Sequence, residues 1–208
     1  MKKAGRRART ALLAALALTV AGRANAYDEP IAANDQRGAT IVLHVVNYAG
    51  LSRDVLDETR IRVARIYEFI GVRIVWIDSE QLVSTNQDGG LHLTVMLLSR
   101  GMAEKKISAE GLPDYVLGTA HLPSGRAYIF RDRIATMPGA STFLPIRLGD
   151  VIAHEVGHLV LTTTSHSHSG IMRAHMDMRN IYAQSFDSRQ VRTIHTALMQ
   201  SKSGVTGR

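Results

Sequence analysis

The chain has 208 residues, 45% of them hydrophobic, and no cysteine. This length and composition favour one folded domain with a sizeable core over a disordered chain or two domains. The lack of cysteine excludes disulfides, a thiolate metal site, a cysteine nucleophile and a lipid-modified amino-terminal cysteine, so any metal must be bound by histidine and carboxylate. The formal charge of +7 suggests nucleic acid as a partner, but the position of the basic residues argues against it.

Residues 1–26 have the layout of a secretory signal peptide. A basic start precedes the apolar run 10–21, and Ala24-Asn25-Ala26 offers the small-x-small pattern cut by signal peptidase. The run is too short to span a bilayer about 30 Å thick, so we expect no membrane anchor after cleavage. Cleavage removes six of the 25 basic and none of the 18 acidic residues, leaving a net charge of +1. We predict an exported protein, periplasmic or secreted, that does not bind nucleic acid.

The first half of the mature chain predicts three strands and a helix. Residues 27–38 are a polar lead-in. Strands are expected over residues 40–47, 72–77 and 91–98, which are rich in β-branched and other apolar side chains. Between the first two strands, a helix capped by Ser52 or Asp54 is expected to continue to about Ile70, and Gly71 ends it.

The second half begins with a predicted hairpin. Strands are expected over residues 115–122 and 127–134, and the turn residues Ser124-Gly125-Arg126 join them into an antiparallel pair. Residues 101–113 and 137–142 are predicted to be loops, the first with at most a short helical turn.

Two helices are expected after the hairpin. The first begins at Pro145 or Leu148 and continues to about Leu161. The second is capped by Asp187 and continues to about Gln200. Its predicted buried side consists of Val191, Ile194, Leu198 and Met199. The order of elements, with no internal repeat, predicts a single α+β domain over residues 27–208.

The run His154-Glu155-Val156-Gly157-His158 matches the pattern His-Glu-x-x-His inside the first of these helices. Residues four apart lie one turn above each other on the same helix face, so both imidazoles can bind one ion. Glu155 lies beside the first ligand and can hold a metal-bound water without binding the metal. Burying these polar groups in an apolar helix would be costly without a shared partner. The motif therefore predicts a Zn²⁺ site.

A catalytic zinc site requires a third protein ligand and an open position. No glutamate follows Glu155, which excludes a downstream glutamate ligand. His166 and His168 come soon after the helix, within residues 162–180, which show no regular period. The full set of downstream candidates is His166, His168, His175, His195, Asp177 and Asp187.

The motif, a further His-Ser pair and the run Gly170-Ile171-Met172 together resemble a metzincin, and most closely its matrixin branch. This resemblance implies a zincin domain with a mixed, twisted sheet of four to five strands, an active-site helix and a carboxy-terminal helix. It also implies a third histidine ligand and a turn methionine beneath the metal, here Met172. The family carries glycine and histidine where this chain has Leu161 and Thr164.

That departure displaces the third ligand. We predict His166 in this role, with His168 as second choice and Asp177 as third. Ala174 stands where some members have a tyrosine, so no tyrosine ligand is implied. Residues 118–122 resemble the edge strand along which the family lays a peptide substrate.

Other polar residues carry weaker signals. His44 and His92 alternate with apolar neighbours and are predicted to be edge or core histidines, whereas His121 could face the cleft. Asp132 and Arg133 are predicted to make structural contacts.

The predicted function is zinc-dependent hydrolysis of peptide bonds in a peptide or protein substrate, with His154, His158 and His166 as metal ligands and Glu155 as general base. Two alternatives stay open. One is a non-catalytic exported zinc-binding or interaction module on a zincin scaffold. The other is a zinc amidase that acts on a non-protein amide.

Overall fold

The computed structural model of the chain describes residues 39–78, 90–175 and 185–203, so the predicted signal peptide and lead-in lie outside the described residues. The described strands are β1 (Ala39–Asn47), β2 (Val72–Asp78), β3 (Leu91–Leu97), β4 (Gly118–His121) and β5 (Arg126–Ile129). The described helices are α1 (Arg53–Glu68), α2 (Arg100–Glu110), α3 (Arg131–Ala135), α4 (Ala140–Leu161) and α5 (Ser188–Ser203). None of the described helices is both long enough and apolar enough to cross a bilayer.

The five strands form one mixed sheet in the order β2-β1-β3-β5-β4. The first four strands in this order are parallel, and β4 pairs antiparallel with β5 at the edge. Ile41, Leu43 and Val45 of β1 are buried on one face of the sheet, because alternate side chains along a strand point to the same side. The prediction of an α+β domain with four to five strands in a mixed sheet is confirmed at this level.

The main core lies between this face of the sheet and the helices α1, α4 and α5. α4 packs on α1 and also lies against β4 and β5. The hydroxyl of Tyr67 in α1 donates a hydrogen bond to the carbonyl oxygen of Ala153 at 3.0 Å, in the buried interior. This bond holds α4 to α1 at the residue before His154.

The strands predicted over 40–47, 72–77 and 91–98 are confirmed to within one residue at each end. The first predicted helix is confirmed as α1, with Ser52 at its amino-terminal cap and Gly71 beyond its end at φ 73°. Because these elements combine strong local periodicity with clear end signals, they could be located from sequence.

The predicted loop over 101–113 is wrong, because α2 occupies most of it. Ala103 is the only buried residue of this helix. Its sequence therefore lacks the apolar stripe from which a helix is predicted. Ala103 and Ile107 belong to a small apolar cluster with Phe130. Ion pairs four residues apart, Arg100 with Glu104 and Lys106 with Glu110, add local support. Gly111 ends the helix in the left-handed conformation at φ 61°.

The hairpin is present but shorter than predicted. β4 and β5 pair antiparallel across a 3-10 turn over Leu122–Ser124, with Gly125 at φ 60°. The strand predicted over 127–134 is wrong beyond Ile129, because the chain turns into α3 there. The guanidinium of Arg133 in α3 donates to two carbonyl groups of the segment before β4, which fixes this turn.

Helix α4 begins at Ala140, earlier than predicted, so the loop predicted over 137–142 is wrong in its second half. Phe143 interrupts the helical conformation at φ −117°. This kink lies two residues before Pro145, whose ring lacks the amide proton that a regular helix needs. Arg147 donates to the carbonyl oxygen of Pro138 and holds the first turn in place.

The final helix is confirmed as α5. The carboxylate of Asp187 accepts hydrogen bonds from the amides of Arg189 and Gln190, both at 2.9 Å, as a capping residue does. Val191, Ile194 and Leu198 are buried, but Met199 is 54% exposed, so its predicted burial is wrong. Met199 lies directly after Leu198, so the helical period turns it away from the core.

Candidate metal centre and active-site cleft

α4 carries His154, Glu155 and His158 on a stretch buried from Arg147 to Val160. The two histidines are each 5% exposed, and their rings meet edge to face with centroids 4.7 Å apart. The spacing of four residues therefore brings both imidazoles to one place, as the helical geometry predicts.

Main-chain carbonyl groups fix the protonation of both rings. His154 Nδ1 lies 2.7 Å from the carbonyl oxygen of Ile171, and His158 Nδ1 lies 2.8 Å from that of Thr163. A carbonyl oxygen only accepts hydrogen bonds, so each Nδ1 must carry a proton. Burial lowers the pKa of His154 to about 4, and burial also lowers the pKa of His158. Both rings are therefore neutral near pH 7, and each Nε2 is unprotonated.

The two Nε2 atoms lie 3.0 Å apart. Neither nitrogen has a proton to offer the other, so the pair cannot be a hydrogen bond in this state. A cation that accepts both lone pairs removes the conflict. Two nitrogens at about 2.0–2.1 Å from a tetrahedral Zn²⁺ would lie about 3.3 Å apart, close to the distance observed.

His166 brings a third imidazole to the same place. One ligating nitrogen from each of His154, His158 and His166 lies within 4.8 Å of the others. The His166 ring centroid is 5.3 Å from that of His154 and 4.9 Å from that of His158. Three neutral imidazoles, one of them exposed toward a cleft, fit Zn²⁺ with an open position.

The irregular segment after α4 turns back to deliver His166. Thr162 takes the left-handed conformation at φ 49°, and the Thr163 amide donates to the carbonyl oxygen of His158. The amide of Ser167 then donates to the carbonyl oxygen of Met172 at 2.8 Å. This reversal brings His166 back to the other two histidines. His166 lies two positions beyond Thr164, which stands where the metzincin pattern has its third histidine.

Among the described residues, the other downstream candidates do not belong to the three-histidine group, although His175 lines the same cleft as His166. His168 is exposed and does not belong to the three-histidine group found among the described residues. His195 contacts the carbonyl oxygen of Ile70 at 2.7 Å, and Asp187 caps α5. Asp177 lies outside the described residues.

Glu155 is 6% exposed although it carries a carboxyl group. Burial raises its pKa to about 8 in the metal-free protein. A cation nearby would favour the ionised form and lower this pKa, so the carboxyl group and a bound metal would stabilise each other.

A cleft of about 710 Å³ opens beside these residues. The segment 114–117 and the start of β4 line this cleft, as do His166 and residues 173–175. The ring of Tyr115 contacts that of His175 edge to face, with centroids 5.4 Å apart. Sequence reasoning missed Tyr115, Met137 and Arg173 as cleft residues, because irregular segments carry no periodic signal.

Met172 lies beneath the active-site helix. It is 1% exposed, and its sulfur lies 2.5 Å from where a Cβ on Gly157 would be. Gly157 thus leaves room for this methionine against the helix that carries the histidine pair. Ile171, next to it, supplies the carbonyl group that His154 contacts.

The remaining polar residues named from sequence make structural contacts. His44 and His92 lie on neighbouring strands with Nε2 and Nδ1 3.0 Å apart. His121 contacts the hydroxyl of Ser124 at 2.7 Å and is not among the residues that line the cleft. Arg133 pairs with Asp114 at 3.5 Å.

No known protein family matches the chain, and no curated protein resembles it in sequence. Among solved structures, the chain is similar to archaemetzincin from Methanopyrus kandleri, with 13% identity over 78% of this chain and 97% of that one, at a TM-score of 0.49. It is also similar to a zinc-dependent peptidase from Methanocorpusculum labreanum (strain Z), with 14% identity over 74% of this chain and 99% of that one, at a TM-score of 0.45. Because both TM-scores are below 0.5, the chemistry of the site follows from the geometry of its own residues and not from these two structures.

Proposed function

We propose that the protein is a zinc metalloendopeptidase of the metzincin type. One observation carries the proposal: two buried, unprotonated Nε2 atoms face each other at 3.0 Å beside a third histidine and a buried carboxyl group. A structural zinc site closes its coordination shell with four protein ligands. Here three histidines meet at the wall of an open cleft, which is the arrangement that a catalytic site requires.

His154, His158 and His166 would hold the ion. Zn²⁺ bound there would supply two things, a lower pKa of about 7 for its bound water and polarisation of the scissile carbonyl. The carbonyl groups of Ile171 and Thr163 would orient the first two imidazoles and keep each Nε2 free for the metal.

Glu155 would act as the general base. Its carboxylate would accept a proton from the attacking water and then donate that proton to the leaving amine. Its position directly after His154, on the cleft wall, supports this role. The hydrophobic surroundings would keep competing water away from the carboxylate.

An extended peptide is the substrate that the cleft fits best. β4 is the edge strand of the sheet, and Gly118, Thr119 and Ala120 line the cleft. An edge strand presents unpaired main-chain groups with which a substrate strand can pair. Main-chain pairing of this kind would place a peptide bond beside the metal with little dependence on side-chain identity.

Glu155→Gln tests the mechanism. The variant keeps the shape of the side chain but removes the base, so we expect one zinc per chain and a fall in kcat of about 10² to 10⁴-fold. Zinc content and hydrolysis of a broad peptide library would be measured on the parent, on this variant and on Glu68→Gln, an exposed control on α1. Cleavage by Glu155→Gln at the parental rate contradicts the mechanism.

The same measurements separate the alternatives. One zinc per parental chain without cleavage of any library member would indicate the non-catalytic binding module. Cleavage of non-protein amides alone would indicate the amidase.

We also propose that the mature protein acts outside the cytoplasm. The basic start, short apolar run and Ala24-Asn25-Ala26 site of residues 1–26 support this location.

A further inference from the structure

Gly118, the first residue of β4, packs directly against the Glu155 side chain. A Cβ placed on Gly118 would lie 2.9 Å from Glu155 Cγ, 2.9 Å from Glu155 Oε1 and 3.0 Å from the carbonyl oxygen of Tyr128. Ordinary contacts between such atoms are about 3.5–4.0 Å. Any side chain at this position would therefore overlap with its surroundings.

Space, and not backbone conformation, accounts for this glycine. Gly118 is not among the glycines with positive φ, and it pairs regularly with Ile129 across the hairpin. Other residues could adopt its backbone conformation. What they could not do is leave Glu155 in its present place.

Glu155 is the neighbour that would move most readily. The Tyr128 carbonyl belongs to β5, which is paired on both sides, with β3 and with β4. The Glu155 side chain can instead rotate about its own bonds, and the cleft lies open beside it. To restore ordinary contact distances, Cγ and Oε1 would each have to move by roughly half an ångström or more.

We infer that Gly118 is a positioning residue for Glu155. Because β4 has no side chain at this point, the carboxyl group of Glu155 can be held between β4 and α4. The catalytic consequence rests on the proposed function. The contact itself does not depend on it. Displacement of a catalytic group by about 1 Å can cost about 10²-fold in rate.

The variant Gly118→Ala tests the inference in the full chain. We expect unchanged zinc content, an unchanged KM and a kcat about 10²-fold lower, because the metal ligands stay in place while the base shifts. Gly101→Ala is the matched control, since a Cβ on this exposed glycine of α2 meets nothing within 4 Å. Its kcat should stay within twofold of the parent. A parental kcat for Gly118→Ala overturns the inference.

A second measurement does not require activity. In zinc-free protein, carbodiimide coupling of an amine to carboxyl groups, mapped by mass spectrometry, reports how accessible Glu155 is. We expect several-fold more labelling of Glu155 in Gly118→Ala than in the parent or in Gly101→Ala. Equal labelling overturns the inference. If the parent hydrolyses nothing, the proposed function fails, and the labelling still decides the contact.

A third comparison applies if Gly118→Ala lowers the stability of the protein or prevents it from folding. Glu155→Ala removes both crowded side-chain atoms, so adding Gly118→Ala to that background should lower the Tm much less than adding it to the parent. Folding of the double variant where Gly118→Ala alone does not fold supports the inference. An equal Tm loss in both backgrounds assigns the strain to the Tyr128 carbonyl and overturns it.

Discussion

Protonation of the buried histidines is decided by single main-chain atoms. The carbonyl oxygens of Ile171 and Thr163 require a proton on Nδ1 of the two ligand histidines, and burial removes the second proton. The pair is thus prepared to bind a metal before any metal arrives. Such preorganisation lowers the cost of assembling the site, because few side chains need to be reoriented.

Of the three proposed metal ligands, His166 is the one that the sequence pattern leaves most open, and its role can be tested against that of its neighbour His168. We expect His166→Ala to weaken zinc binding by about 10²-fold or more, since it removes one of three protein ligands. His168→Ala should bind zinc as the parent does, because His168 lies outside the three-histidine group. Competition with a chromogenic zinc chelator measures both affinities. The reverse pattern would assign the third ligand to His168.

At the scale of elements, α4 joins the core to the cleft. Its first part packs against α1 so closely that a Cβ on Gly149 would lie 2.5 Å from Arg62 Cγ. Here Arg62 Nε and the Asp150 carboxylate form an ion pair at 2.7 Å, and Asp150 is fully buried. This contact fixes the rotation of α4 and therefore the direction in which its histidines point.

The Asp150 pair predicts a specific pH dependence. Burial raises the pKa of Asp150 from 3.8 to about 6, although Arg62 acts in the opposite direction. The pKa of Asp150 is therefore higher in the folded than in the unfolded protein, so protonation of its carboxyl group stabilises the fold. This contribution to the free energy of unfolding is fully present below pH 4 and is lost as pH rises through 6. The difference in unfolding free energy, parent minus Asp150→Asn, should fall by about 3 kcal/mol between pH 3.5 and pH 7.

Urea unfolding of zinc-free protein at several pH values would measure that difference. Asp57→Asn is the control, because Asp57 also pairs with an arginine but at an exposed position. The corresponding difference for the control should stay nearly constant. A parent that gains stability over Asp150→Asn as pH rises would contradict the predicted sign.

At the scale of the whole molecule, the parallel strands and the long helix place the metal centre at the antiparallel edge of the sheet. The edge strand β4 and the turn after α4 both line one cleft. There the buried helix α4 packs against the edge strand β4, whose outer main-chain groups are unpaired within the sheet. The proposed catalytic residues and the proposed substrate site thus belong to different elements, far apart in sequence.

The signal-peptide layout of residues 1–26 leads to a prediction about how the chain is processed. Protein recovered from the periplasm or the medium should begin at Tyr27, because signal peptidase cuts after a small-x-small sequence. Amino-terminal sequencing measures this directly. Replacing Ala24 and Ala26 by leucine should cause the precursor to accumulate. Active protein that is found only in the cytoplasm and still begins at Met1 would contradict the export proposal.

Features that depend on local spacing were determined by the sequence alone. The His-Glu-x-x-His run needs only one turn of helix to bring its two imidazoles together, and the apolar runs of β1 and β3 are long enough to be recognised as strands. The Asp187 cap is likewise a local hydrogen-bond pattern. In each case the physical interaction joins residues close in sequence, so the pattern contains the information.

The tertiary structure decided what depends on distant contacts. The Ile171 carbonyl group that orients His154 and the contact of Gly118 with Glu155 arise where separate segments meet, whereas the Thr163 carbonyl group lies in the turn directly after α4. The helix α2 escaped prediction because only Ala103 of it is buried, so its sequence has no apolar stripe. Hydrophobic patterning reports which face of an element is buried, but it does not report which neighbour lies against that face.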